Sequence, residues 1–212
     1  MGTIFNYNTD INKTTYLNWR TDQHQLLQDM SVMADGYANA AIIMIDACLT
    51  DNHDKKADVV IFPILFSVNH AIELYLKEIN WALNILCGKD IHDNNGGHDI
   101  RQIWSVVRKQ VNLFENDSAR KGQFTEFTKE LVSYIDELYS YIDSGNDEHT
   151  KMKNMDFSRY PFNTDKELHF YIKSLGNVVV DLEELKKTFA SISRNLRLIA
   201  GDYEEKAVLS PI

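Results

Sequence analysis

Residues 62–86 read FPILFSVNHAIELYLKEINWALNIL, and this stretch decides the fold. Its apolar residues recur every three or four positions, which is the spacing of one face of an α-helix. With one residue added before the stretch, that face consists of Ile61, Leu65, Val68, Ile72, Leu76, Ile79, Leu83 and Leu86. The opposite side carries a polar stripe at the same spacing, formed by His70, Glu73, Lys77, Asn80 and Asn84. The pattern predicts one long helix that buries a wide face and exposes a narrow polar stripe containing an imidazole, an acid and a base.

Four further segments have the same helical period. The predicted helices cover Asp22 to Leu49, His98 to Phe114, Gly122 to Ile142 and Asn177 to Ala200. Alternating apolar residues from Leu168 to Ile172 predict at most one short strand element. Five long helices with short connections predict an all-α, antiparallel bundle. We expect residues 1–20 to form an N-terminal arm and residues 21–212 to form a single helical domain.

Helix-end signals support these boundaries. Pro63 lies near the predicted start of the central helix, where a missing N–H costs least. Gly88 follows its last apolar residue, as a C-terminal capping glycine does. Asp99 suits the first turn of the next helix, where a carboxylate meets unpaired N–H groups. Gly201 is expected to end the last helix.

Composition narrows the functional classes. The chain has 212 residues and a formal net charge of −9, which argues against broad, non-specific binding of nucleic acid but leaves room for a local basic groove. We find no signal peptide and no run of 18 consecutive apolar residues, so we expect no membrane span. The two cysteines, Cys48 and Cys87, lie in apolar helical contexts and are expected to be buried thiols of a cytoplasmic protein.

Four local patterns follow one another along residues 33–190. They are GYANAAIIMIDACL at 36–49, FPILFSVNHAIELYLKEI at 62–79, GGHDIRQIW at 96–104, and FSRYP at 157–161 followed by VVVDLEELKK at 178–187. The second pattern contains a His-x-x-Glu with a following Lys. In this order the four patterns resemble the HEPN superfamily of prokaryotic helical domains.

The resemblance implies a bundle of four or five helices, often a homodimer, in toxin–antitoxin, antiviral defence or stress systems. Many members are metal-independent ribonucleases, whose usual signature is an Arg followed after four to six residues by a His. This chain departs from the signature, because no His follows Arg194 or Arg197 in the last predicted helix. Two other Arg–His pairs have different separations: Arg159 and His169 have nine residues between them, and Arg20 and His24 have three. The departure favours a non-catalytic or degenerate member.

The candidate catalytic residues are His70, Glu73, His98 and Arg159. On the central helix, His70, Glu73 and Lys77 share one face and are candidates for an acid–base or phosphate-contacting cluster, with Lys77 as a ligand-binding group. The alternative is structural: a Glu→Lys pair at i,i+4, worth about 0.2–0.5 kcal/mol, beside a histidine bonded to a nearby loop.

His98 and Asp99 together raise the possibility of a metal site. With His70 upstream, they form the H…HD pattern of helical metal-dependent phosphohydrolases. In that pattern the His-Asp pair usually ends a helix, whereas here it follows two glycines and begins one. A capping role fits this position better, and a His-x-x-Glu lacks further ligands of defined spacing. We therefore expect no metal and no cofactor.

Arg159 and Tyr160 lie in a long polar segment between the last two predicted helices. An Arg beside aromatic residues could bind a phosphate or stack on a base, so both residues are candidate ligand-binding groups. The alternative is that Arg159 fixes the loop by pairing with Glu73 or another acid.

The sequence thus favours a cytoplasmic, homodimeric HEPN-like helical protein that acts by binding an antitoxin-like protein partner or RNA, in a defence, toxin–antitoxin or mobile-element context. One alternative is a metal-independent ribonuclease that uses Arg159 with His70 or His98. A further alternative is a metal-dependent phosphohydrolase.

Overall fold

The structure is a computed structural model, and it describes residues 4–18, 20–21, 25–93, 96–144, 155–162, 166–173 and 176–209. Within these ranges lie seven α-helices: α1 (Leu26–Thr50), α2 (Ala57–Leu86), α3 (Ile100–Phe114), α4 (Ser118–Phe127), α5 (Lys129–Ser144), α6 (Phe170–Lys173) and α7 (Leu182–Leu209). Two 3-10 turns occupy Ile11–Lys13 and Met155–Ser158. The same ranges contain no β-strand, and one isolated bridge pairs Phe162 with Leu168. The all-α class predicted from the sequence is confirmed.

The central helix of the fold is α2, which packs against α1, α3 and α7. Its predicted apolar face is fully buried at Val68, Ile72, Leu76, Ile79 and Leu83. From α1, small buried residues at Ala34, Ala38 and Ala41 let the two helices approach closely. From α7, Phe189, Ile192 and Leu196 complete the core. Burial of this apolar area is the main stabilising contribution to the fold.

The helix α2 begins five residues earlier than predicted, at Ala57 rather than Phe62. The Asn52 side chain accepts a hydrogen bond from the Ala57 N–H at 2.9 Å and so satisfies one of the unpaired amides at this end. Pro63 therefore lies inside the helix instead of at its first turn. At the other end Gly88 has φ of +65°, which confirms its predicted role as a capping glycine.

The helix predicted from Gly122 to Ile142 is two helices, α4 and α5, which meet at Thr128. The Thr128 hydroxyl donates to the Phe124 carbonyl at 2.7 Å, a local bond that competes with regular helix geometry. The Asn195 side chain of α7 donates to the Phe127 carbonyl at 3.1 Å. The hydrogen bond from Asn195 of α7 thus stabilises the break between α4 and α5, which the spacing of apolar residues does not predict.

Helix α7 covers Leu182–Leu209, so the predicted limits, Asn177 and Ala200, are both wrong. Asp181 sets the start, since its side chain accepts from the N–H groups of Glu183 and Glu184 at 2.9 and 3.1 Å. The helix continues past Gly201 because Tyr203 and Ala207 are still buried against the core. For α1, the start is Leu26, and residues 22–24 of the predicted helix lie outside the described residues.

No strand forms from Leu168 to Ile172, where at most one short strand element was predicted, because Phe170–Lys173 forms the single helical turn α6. The His169 carbonyl accepts from the N–H groups of Ile172 and Lys173 at 3.0 and 3.1 Å. This turn lets Phe170 pack against Phe157 and Tyr141, with ring centroids 5.5 and 6.3 Å apart. Packing of the aromatic rings explains why the helical turn prevails over the alternating pattern.

Both α1 and α2 are long and apolar enough to cross a membrane by length and composition, with mean hydropathy of 1.4 and 1.7 over their most apolar 18-residue windows. More than half of the α2 window is buried inside the fold, so its apolar character is that of a core helix. The α1 window is only 28% buried. The cysteine prediction is half right, because Cys48 is buried and Cys87 is exposed.

Candidate functional site

Glu73 is the centre of a polar cluster on α2. Its Oε1 atom accepts hydrogen bonds from Lys77 Nζ at 2.8 Å and from His98 Nδ1 at 2.9 Å. Its Oε2 atom lies 3.3 Å from His70 Nδ1. Because a carboxylate can only accept, Nδ1 is the donating nitrogen of each imidazole, and Nε2 is the nitrogen left for other contacts. The cluster joins one face of α2 to His98, which lies two residues before the start of α3.

The electrostatics of the cluster favour an ionised Glu73. Burial alone would raise the pKa of this carboxyl, but the hydrogen bonds from His70, Lys77 and His98 outweigh burial and bring its pKa to about 2. Glu73 and Lys77 are both largely buried, with side chains 10% and 15% exposed. His98, by contrast, is 74% exposed. Glu73 therefore forms a largely buried ion pair with Lys77 and orients the imidazole of His98 at the surface.

Aromatic rings enclose the inner imidazole. His70 stacks on Phe66, with centroids 5.5 Å apart, and meets the edge of Tyr37 at 4.5 Å. On the other side of the site, the Arg159 guanidinium lies 5.7 Å from the centre of the Phe66 ring, within the range of a cation–π contact. Phe66 thus connects the Glu73 cluster to Arg159.

Arg159 belongs to a segment that we call the strap, residues 155–162 and 166–173. The strap packs onto α2 through Tyr171, whose ring lies 5.3 Å from that of Phe62. Inside it, His169 is fully buried and stacks on Tyr171 at 6.0 Å. Burial lowers the pKa of His169, which favours a neutral ring at this position. The strap is therefore anchored by aromatic packing.

Arg159 is paired within the strap, where its guanidinium binds Asp156, three residues earlier. The sequence left open that Arg159 has a structural role and pairs with Glu73 or another acid. The acid it binds is Asp156 and not Glu73. Tyr160, the second ligand-binding candidate of the strap, is 56% exposed. Of the predicted candidates, His98, Arg159 and Tyr160 are accessible to a partner, whereas Lys77 is committed to Glu73.

Asp99 has the capping role that its position predicts. Its Oδ1 atom accepts from the Gln102 N–H at 3.0 Å and from the Tyr139 hydroxyl at 2.6 Å. The carboxylate is buried between α3 and α5 and so does not join His98 in the cluster. Among the described residues, no three His, Cys, Asp or Glu side chains are grouped as ligands of one metal ion. The metal-dependent phosphohydrolase therefore gains no geometric support.

The arginines of α7 lie in another part of the molecule. Arg194 and Arg197 line an open groove beside α1, and Arg197 binds Asp35 at 3.2 Å. His24, the partner of Arg20 in the sequence, lies outside the described residues.

Several residues of this site had no sequence signal of their own. Phe66 and Tyr37 look like ordinary core positions, yet they hold His70 in place. Asp156 lies three residues before Arg159, and this spacing is a helical-turn pairing that could have been recognised. The exposure of the strap's apolar side chains follows only from the tertiary structure.

Comparison with protein-family models, with curated proteins and with solved structures finds no match to this chain.

Proposed function

We propose that this chain is a HEPN-like helical protein that acts by binding a protein partner through the strap and is not a catalyst. The observation that carries the proposal is charge neutralisation within the site. Lys77 is paired with Glu73 and Arg159 with Asp156, so two carboxylates balance the two cations of the site and leave no excess positive charge to attract a polyanion. The proposal includes antiparallel packing of the long helices, a cytoplasmic location and a defence, toxin–antitoxin or mobile-element setting.

The surface of the strap supports a protein partner. Beside Arg159 it exposes four large side chains, namely Tyr160, Phe162, Leu168 and Ile172. Tyr, Phe and Arg are enriched at the centres of protein interfaces, and Tyr and Arg dominate binding hot spots. The bridge between Phe162 and Leu168 brings the two halves of the strap together, so these two exposed side chains lie next to each other.

The test is co-expression with the proteins encoded beside this gene, followed by co-purification. We expect one neighbour to co-purify with the parent chain and to be lost with Tyr160→Ala and Phe162→Asp. Leu113→Asp is the matched control, because Leu113 is an exposed leucine of α3 outside the strap. Capture that survives both strap variants would contradict the proposal.

A second candidate, a metal-independent ribonuclease, is favoured by the geometry of His98. Glu73 binds its Nδ1, and the side chain is exposed, so its Nε2 is placed as in a carboxylate-oriented general base. Among the described residues of the site, both candidate cations, Lys77 and Arg159, already pair with carboxylates, which weakens their ability to stabilise developing charge on a phosphate. For this reason we rank binding first.

Self-association is a separate prediction. We expect a homodimer at micromolar concentration, because α1 leaves apolar side chains such as Met33 and Ile43 exposed. Sedimentation of the parent chain should give twice the monomer mass, and Ile43→Asp should weaken the association while Leu113→Asp leaves it unchanged. A parent chain that sediments only as a monomer would refute the prediction.

A further inference from the structure

Glu78 of α2 is a fully buried carboxyl group outside the Glu73 cluster. Its Oε1 atom accepts from the Ser31 hydroxyl of α1 at 2.7 Å. Its Oε2 atom is buried and has no hydrogen-bond partner among the described residues. An ionised carboxylate with an unpaired buried oxygen is costly, so this geometry suits the protonated form.

The groups that face Glu78 leave its negative charge uncompensated. Asp35 of α1 and Glu204 of α7 are acids, and Arg197 of α7 is the one cation among the described groups that act on Glu78. Arg197, however, binds Asp35 Oδ2 at 3.2 Å, while the hydroxyl of Tyr75 on α2 donates to Asp35 Oδ1 at 2.6 Å. The single cation is thus already engaged by the neighbouring acid.

We propose that Glu78 is a proton-operated latch at the junction of α1, α2 and α7. When it is protonated, the three helices close around a neutral carboxyl group. When it ionises, repulsion from Asp35 and Glu204 and the unpaired oxygen loosen α7. Because Asn195 of α7 holds the Phe127 carbonyl between α4 and α5, loosening α7 also releases that junction.

The direction of the pH effect follows from the site. Burial is the largest cause that raises the pKa of Glu78 from an ordinary 4.5 to about 8, and the charges of Glu204 and Asp35 also raise it. The hydrogen bond from Ser31 and the charge of Arg197 lower it. The folded chain then keeps a proton that the unfolded chain loses. The contribution to stability is full below pH 4.5 and is lost as the pH rises through 8.

The test measures amide hydrogen exchange of α7 from pH 6 to pH 9, corrected for the intrinsic pH dependence of exchange. For the parent chain we expect the opening equilibrium of α7 to rise by up to about tenfold per pH unit until pH 8. Glu78→Gln, which keeps a neutral group of the same shape, should remove this slope and protect α7 at pH 8. Glu205→Gln, an exposed carboxyl of the same helix, should keep the slope of the parent.

A direct titration keeps the proposal testable if Glu78→Gln folds poorly. The ¹³C shift of the Glu78 carboxyl should titrate above pH 7, and Ser31→Ala, which removes its hydrogen bond, should raise that midpoint further. A midpoint below pH 6, or equal slopes in the parent and Glu78→Gln, would overturn the proposal.

Discussion

We expect Glu73→Gln to lower the free energy of unfolding by about 3 kcal/mol at neutral pH, because it leaves the largely buried Lys77 without a counter-charge. The pKa of Glu73 supports this magnitude. A fall from 4.5 to about 2 corresponds to roughly 3 kcal/mol at about 1.36 kcal/mol per pKa unit. Urea denaturation of the parent and the variant at pH 7 measures the difference.

The matched control is the double variant Glu73→Gln/Lys77→Met. Removal of both charges should recover a large part of the lost stability, because no buried charge is then left unpaired. If Glu73→Gln lowers the free energy of unfolding by less than about 1 kcal/mol, the Glu73–Lys77 pair is no stronger than an ordinary surface salt bridge. The claim that Glu73 stabilises the fold as the centre of this cluster would then be wrong.

The same carboxyl predicts sensitivity to acid. Its folded pKa is depressed, so its contribution is present above pH 4.5 and is lost as the pH falls towards 2. Glu78, five residues later on α2, has the opposite shift, so its contribution falls as the pH rises from 4.5 to about 8. Two carboxyls of one helix thus make stability depend on pH in opposite directions, one below pH 4.5 and the other above it.

We expect Phe157→Ala to release the strap. Phe157 is 2% exposed and packs against Phe170, and truncation of a buried phenylalanine costs about 3–5 kcal/mol. If the strap opens on its own, trypsin cleavage after Arg159 should accelerate by about 100-fold to several thousand-fold, because each step of about 1.4 kcal/mol is a tenfold change.

Ile172→Ala is the control for that experiment, because Ile172 is an exposed apolar residue of the same strap. It should leave the cleavage rate nearly unchanged. Equal cleavage rates in Phe157→Ala and the parent chain would show that the strap does not depend on this aromatic anchor.

The helical class and the central helix could be predicted from the sequence because a single apolar face is long and unbroken. The buried residues Val68, Ile72, Leu76, Ile79 and Leu83 are those of the predicted face. The caps at Gly88 and Asp99 could also be predicted, since each depends on a local backbone requirement. Patterns that are local in the sequence, namely helical spacing and helix-end residues, were thus sufficient to predict these features.

The errors arose where distant residues decide the outcome. The break at Thr128 depends on Asn195, which lies 67 positions later in the chain, and the continuation past Gly201 depends on burial of Tyr203. The polar stripe brought His70, Glu73 and Lys77 together as predicted, but the prediction that it is exposed is wrong, because Glu73, Asn80 and Asn84 are buried. The approach of His98 to Glu73, and the pairing of Arg159 with Asp156, needed the tertiary structure.

The HEPN resemblance, the dimer, the binding function and the expected lack of metal remain predictions. Of these, the choice between binding and catalysis affects the interpretation of every residue around Glu73. In the binding account, His98 is an oriented imidazole, and the two candidate cations of the described site, Lys77 and Arg159, are paired with acids. In the ribonuclease account, the same imidazole removes a proton from an attacking hydroxyl group.

One measurement separates the two accounts most directly: incubation of mixed RNA with the parent chain, His98→Ala and Arg159→Ala, each with and without chelator. Our account predicts that the parent chain leaves the RNA intact and that neither variant differs from it. Equal residual cleavage in all three proteins would indicate a contaminating nuclease. Chelator-resistant cleavage by the parent chain that is lost in His98→Ala would contradict the binding account and assign the Glu73 cluster to catalysis.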